Sequence, residues 1–423
     1  MRKSLILILT LILLTPAYAQ SDYVREITKN LTSAEMHGRG YVFGGDSIAA
    51  DYLASEMKKA GIKPFKKNYY QPFSFEVNTF PGVVSLTTPT QSLSLAKEFI
   101  VEPESGSFTG NLELFKISYD ELFDVPTLIE RLQKNMANPT GNTYFFDFRV
   151  DTLSKEARAT TNQLMNALVQ HGNVLGIDDG KWNWSVGRKQ FKYAMVWVRS
   201  SVPVSDGMFL KVEAVFKPNH KTQNVIGYIP AAKKTKKTFV FTAHYDHLGR
   251  LGADIYFPGA NDNASGTAAM LALGKYFVEY PVDFNVMLIA FAGEEAGLVG
   301  SEYYVEKKPW LKLNDIHFLL NVDIFGSGEE GITVVNGSVI NKAYTVINDI
   351  NEKFQYVKRV KARGTAANSD HYHFSRMGVP AFFIYTEGPN KHYHDIFDTY
   401  DNLSFDKADA LIQLMINFTK EIM

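Results

Sequence analysis

The sequence predicts an α/β fold: a three-layer sandwich whose central, largely parallel (mixed) sheet is flanked by helices, with a smaller β-rich domain inserted. Two observations carry that expectation. After Asn219, continuous apolar runs alternate with segments of helical period, as in sheets whose strands are buried on both faces. From about Phe80 to Asn219 the texture changes to short β-like runs broken by Gly, Pro and Ser turns, with one helical stretch near Ser154–Gln170. The expected organisation is residues 1–19 as an export signal, 20–80 and 220–423 as the two parts of one main domain, and 81–219 as the insert.

In chain order, Arg2 and Lys3 precede an apolar run from Leu5 to Leu14, then Pro16 and the small-residue pattern Ala17-Tyr18-Ala19. That is a basic region, an apolar region and a cleavage site, so cleavage near Ala19 is expected, with export to the periplasm or the medium. The run is too short for the roughly 20 residues a bilayer requires, and no later stretch is long and apolar enough to span one. Between Asp46 and Ala60, Ile48, Ala49, Tyr52, Leu53 and Met57 recur at helical spacing, and Gly61 ends the pattern. The expected strands of the main domain are Val225–Ile229, Thr238–Ala243, Val286–Ala292, Phe318–Val322 and Ala381–Tyr385. Helices are expected near Ala264–Tyr280, Gly300–Glu306, Asn341–Lys353 and Phe405–Ile422.

Composition excludes several classes. The 423 residues are 45% apolar and 21% charged, with a net charge of −1. That is an ordinary globular balance, with no field to favour nucleic acid or an anionic membrane. Cysteine is absent, so disulfides cannot support an exported chain and thiolates cannot serve as ligands or nucleophiles. Any metal site must use His, Asp and Glu.

Five short segments supply those residues at or near strand ends, where functional groups of such sheets collect. They are Ala243-His244-Tyr245-Asp246-His247-Leu248-Gly249, Gly259-Ala260-Asn261-Asp262-Asn263-Ala264-Ser265-Gly266, Ala292-Gly293-Glu294-Glu295-Ala296-Gly297, Asn321-Val322-Asp323, and Tyr393-His394 followed by Asp398-Thr399. Singly, His244 reads as a core or capping histidine, Asp262 as a helix cap, the glutamates as a solvated turn and Asp323 as a loop cap. Together they call for a shared cause, and a metal centre supplies one. Two cations about 3.5–4 Å apart need a carboxylate between them. Asp262, in a turn rich in Gly and Asn, is the natural bridge. His244 and Asp323 would then hold one ion, and Glu295 and His394 the other, with His392 as a rival to His394. The oxygen and nitrogen set suits two Zn2+ per chain, with cobalt or manganese as substitutes. Adjacent Glu294 and Glu295 point different ways, so Glu294 can act as general base on a water while Glu295 binds metal. Asp246, two residues after His244, can accept the second imidazole N–H.

These segments, in this order, resemble the signatures of M28 metallopeptidases, as does Ala60-Gly61-Ile62-Lys63-Pro64 after the first expected helix. The resemblance covers roughly Val24–Pro72 and Thr222–Met423. The middle bears a looser resemblance to the protease-associated insert of some members. The resemblance implies a zinc-dependent hydrolase acting on peptides, an aminopeptidase above all. It also implies a cis peptide bond after Asp262 and a role for Tyr393 in holding the oxyanion. One departure is His373 in Ser369-Asp370-His371-Tyr372-His373-Phe374, where the family has proline; Asp370 is expected to stand behind the ligands. Readings with other chemistry are a glutaminyl cyclase with one zinc, a carboxypeptidase of the same fold and a binding protein on this scaffold. Gly326-Ser327-Gly328-Glu329-Glu330-Gly331 fits a dinucleotide-binding pattern, but its glutamates would repel a pyrophosphate and it leads into a strand.

Overall fold

A computed structural model describes residues 17–138 and 140–423. The apolar run Leu5–Leu14 of the expected export signal lies outside the described residues. The description begins with the helix Ala17–Leu31, whose first turn is the expected cleavage triplet. Among the described residues, no helix is long and apolar enough to cross a membrane.

Among the described residues, the main sheet has nine strands. Its centre is four parallel strands in the spatial order Asn285–Phe291, Thr238–His244, Ile316–Asp323 and Ala381–Glu387. Antiparallel neighbours flank them: Val215–Ile229 beside Asn285–Phe291, and Gly331–Val335 beside Ala381–Glu387. All five expected strands lie in this sheet, and the short edge strand Val360–Arg363 is an addition.

Burial on both faces explains the unbroken apolar runs. Side chains alternate along a strand: Val286, Leu288 and Ala290 face a core shared with Val24, Leu53, Met270 and Leu411 from four helices. Met287, Ile289 and Phe291 face the opposite core, with Tyr304 and Phe374. The four helices are Ala17–Leu31, Gly45–Lys59, Gly266–Glu279 and Ala408–Ile422. Each fully buried Leu or Phe here is worth about 1.5–3 kcal/mol of apolar burial, so this core can stand in for disulfides. The strands point their carboxyl ends in one direction, and His244 and Asp323 are the last residues of their strands.

Residues 81–219, the segment expected as an insert, are more helical than their sequence texture suggested. Their larger sheet runs Phe99–Val101, Met195–Val198, Asn173–Ile177, Thr143–Arg149 and Leu114–Ile117, with parallel pairing among the last four. Parallel neighbours need a crossover. The helices Val125–Ala137 and Lys155–Leu168 provide two of them, and the first was not expected. A separate three-stranded antiparallel sheet in the same segment pairs Val84–Thr87, Phe209–Val212 and Phe108–Asn111, with Phe209–Val212 in the middle. The expected boundary at 219/220 falls inside the strand Val215–Ile229, at its irregularity between Lys217 and His220.

Arg39 ties the loops at the carboxyl edge together. It is fully buried, and its guanidinium donates to the carbonyls of Leu31, Tyr245, Pro258 and Gly259 at 2.6–2.9 Å. Burial lowers its pKa to about 10 against the pull of Asp398, Asp262, Asp246 and Glu295, so it stays protonated at neutral pH. Two of its acceptors sit next to His244 and just before Asp262. An ammonium cannot replace a planar fork that serves four carbonyls. We expect Arg39→Met to cost on the order of 3 kcal/mol, the scale for stranding buried polar partners, and Arg39→Lys to recover only part of it. Urea unfolding of the three proteins measures this, and a loss below about 1 kcal/mol for Arg39→Met would contradict it.

Candidate metal centre

The carboxyl ends of three central strands and two loops converge on one recess. His244 is almost fully buried, with Nδ1 3.2 Å from the carbonyl oxygen of Asp246. A carbonyl can only accept, so in the neutral ring the proton sits on Nδ1 and Nε2 is free. That Nε2 lies 3.3 Å from Asp262 Oδ1 and 3.3 Å from Asp323 Oδ2. On the other side, His394 Nε2 lies 3.1 Å from Asp262 Oδ2 and 3.0 Å from Glu295 Oε2. Asp262 therefore stands between two histidines, each facing a second carboxylate. All five residues named as ligands from the sequence meet here, whereas His392 turns toward Asp395, 3.3 Å away.

Asp262 is placed by its own loop. Gly259, at φ 57°, precedes it, and a Cβ there would lie 2.3 Å from the His247 ring. The amides of Asn261 and Asp262 donate to Asp398 at 3.0–3.1 Å. Asn261 Oδ1 accepts from the Gly326 amide, and Asn263 Nδ2 donates to the Val322 carbonyl. The bond Asp262–Asn263 is cis, as the resemblance implied.

One placement differs from expectation. The Asp246 carboxylate is 3.8 Å from His244 Nδ1, farther than the Asp246 carbonyl. Instead it accepts from Tyr41 Oη at 2.6 Å and from the amides of Glu294 and Glu295 at 3.3 Å each. It thus fixes the turn that separates the two glutamates. Two residues present in the quoted motifs had been given no role. His247 Nδ1 pairs with Glu295 Oε1 at 2.7 Å, and Asp398 holds the Asp262 loop. Their positions in the motifs were the available signal. Trp184, whose carbonyl faces His394 Nδ1 at 2.8 Å, lies in the insert and had none.

Electrostatics fit a cation site. Asp246, Asp262, Asp323, Asp370 and Asp398 are each at most 5% exposed, and Glu294 and Glu295 line the same recess. Burial pushes Asp398 and Asp370 up to about 7 and Asp246 to about 6. Burial also raises the Glu294 carboxyl well above its usual range, with Glu295, Asp370 and Asp323 adding to it against the pull of His244. Burial disfavours charged His244, yet Glu294 and Asp323 outweigh it and hold its proton well above the imidazole range. For His394, burial is outweighed by Glu295 and Asp262, and its pKa is raised to about 11. Rings that hold protons this firmly occupy places where positive charge is wanted.

Geometry agrees. Four bonds of about 2.0–2.1 Å in a tetrahedron give ligand-to-ligand edges of about 3.3 Å, close to the 3.0–3.3 Å between each Nε2 and its carboxylates. Donor atoms of His244, Asp262 and Glu295 lie within 4.8 Å of one another, as do those of His244, Glu294 and Asp323. Glu294 therefore also lies within reach of the His244–Asp323 half. Beside His394, the Tyr393 ring stacks at 3.8 Å and is about half exposed. Burial, reinforced by Asp262 and Glu295, raises its hydroxyl pKa strongly, so it remains an O–H donor.

Comparison with known proteins places this recess in context. Residues 224–419 match the model of peptidase family M28. Aminopeptidase YwaD of Bacillus subtilis is 31% identical over 199 residues, 44% of this chain and 41% of that one. A probable leucine aminopeptidase of Trichophyton verrucosum is 29% identical over 226 residues, 50% of this chain and 59% of that one. The chain spans less than two thirds of the length of either relative. Among solved structures, the zinc aminopeptidase BSAP from Bacillus subtilis shares the fold with a TM-score of 0.69 at 18% identity, covering 95% of this chain and 94% of that one.

If the recess binds divalent cations, zinc must stabilise the chain. Zinc at a hundredfold excess over its dissociation constant should add about 2.7 kcal/mol to the unfolding free energy of chelator-stripped protein. Thermal unfolding with and without zinc reads this. An unchanged midpoint with zinc, cobalt and manganese alike would argue against a cation site.

Proposed function

We propose, from the match of residues 224–419 to the model of peptidase family M28, that the protein is an exported zinc-dependent aminopeptidase that removes N-terminal residues from peptides. The observation that carries this is the placement of Asp262 between His244 and His394, each with its own further carboxylate. In this reading two Zn2+ would share the carboxylate of Asp262. His244 and Asp323 complete one site, and Glu295 and His394 the other.

Zinc held there would polarise the scissile carbonyl and lower the pKa of a water. The protein's own groups do the rest. Glu294 takes the proton from the attacking water and passes it to the leaving amine, with its basicity raised by burial among other carboxylates. Asp246 fixes the backbone of Glu294 and Glu295 through their amides, so the base and the ligand keep separate directions. Tyr393, kept protonated, donates to the carbonyl oxygen as negative charge develops on it. The free α-amino group of a substrate would be held by the zinc and the carboxylates beside it, which favours action at the N-terminus over the C-terminus. Export rests on the basic and apolar regions before Ala19.

The test pairs aminoacyl-4-nitroanilides with Glu294→Gln. The variant should keep its zinc and lose about 10²- to 10⁴-fold in kcat, the span of a general base. Acetylation of the substrate's α-amine should abolish cleavage by the wild type, and chelator should do the same. Wild-type turnover by the variant would overturn the base assignment. Equal cleavage of acetylated substrate would overturn the aminopeptidase reading.

A further inference from the structure

The two histidines of the recess are oriented from different parts of the chain. His244 faces a carbonyl two residues along its own loop, whereas His394 faces the carbonyl of Trp184, 210 residues away in the insert. Trp184 grips the histidine twice: its carbonyl accepts from His394 Nδ1 at 2.8 Å, and its amide donates to the His394 carbonyl at 3.0 Å. In the neutral ring, donation from Nδ1 to that carbonyl leaves Nε2 bare toward Asp262 and Glu295. Nearby, Lys181 Nζ donates to the carbonyls of Lys391 and Tyr393 at 2.6 and 2.7 Å and lies 3.7 Å from Asp395.

The grip is firmly based. The Trp184 ring is 6% exposed, stacks on Phe257 at 4.9 Å and 3°, and donates from Nε1 to the Val101 carbonyl at 2.9 Å. Phe257 leads directly into Pro258 and Gly259, which Arg39 holds. His394 itself sits at φ 58°, a left-handed backbone that a non-glycine residue keeps only where its surroundings over-determine it.

We propose that the insert is a working part of the metal centre: Trp184 and Lys181 are positioning residues that hold His394, so that the Glu295–His394 half depends on the insert and the His244–Asp323 half does not. This rests on the two-zinc reading above.

The test is calorimetric titration of zinc into the chelator-stripped full chain. The wild type should take up two zinc ions. Lys181→Met should weaken one of the two about tenfold and leave the other unchanged, and Lys181→Arg should restore it. Trp184→Ala should weaken the same ion by about 10- to 100-fold, the usual scale for a partner behind a ligand. If Trp184→Ala does not fold, the Lys181 pair decides, because Lys181 is 42% exposed. Unchanged affinities in Lys181→Met, or equal weakening of both ions, would overturn the insert's role. A wild type that binds fewer than two ions would overturn the two-zinc reading itself.

Discussion

A surplus of buried carboxylates at the carboxyl edge of the sheet is the constraint to which the rest of the molecule answers. Five aspartates and two glutamates share one recess, and an isolated carboxylate out of water costs several kcal/mol even after relaxation. Arg39, buried beside them, directs its donors to backbone carbonyls. Protonation relieves part of the repulsion, as the raised positions of Asp398, Asp370 and Asp246 indicate. The proposed cations would relieve the remainder where Asp262, Glu295 and Asp323 meet the two histidines.

The scaffold meets that constraint in layers. Parallel strands deliver His244 and Asp323 side by side, because their register is locked by Thr242 Oγ1 donating to Asn321 Oδ1 at 2.6 Å. Backbone amides then hold the loops: Asp398 takes those of Asn261 and Asp262, and Asp246 those of Glu294 and Glu295. Each of these carboxylates lies one contact away from a residue assigned to the chemistry. The final segment, carrying His394, comes after the last central strand, Ala381–Glu387. That is the segment the insert grips.

Legibility from sequence followed the range of the forces involved. The central strands were plain because burial on both faces leaves continuous apolar runs, and the residues that converge on the recess were plain because charged residues after such runs demand a cause. The helix Val125–Ala137 was overlooked although Asp124 caps it and Pro126 sits in its first turn. Its apolar stripe is narrow, with Leu128 and Leu132 among its few buried positions. His247 and Asp398 stood inside recognised motifs, yet their partners became visible only once the loops were folded together. The Trp184 carbonyl could not have been read at all: a backbone acceptor leaves no trace in composition, and only tertiary structure brings it to His394.

The most direct measurement of the central claim is anomalous diffraction from crystals grown with zinc. The account predicts two peaks about 3.5–4 Å apart, one on each side of the Asp262 carboxylate, with the first also touching His244 and Asp323 and the second Glu295 and His394. A single peak, or two peaks that do not share Asp262, would contradict it.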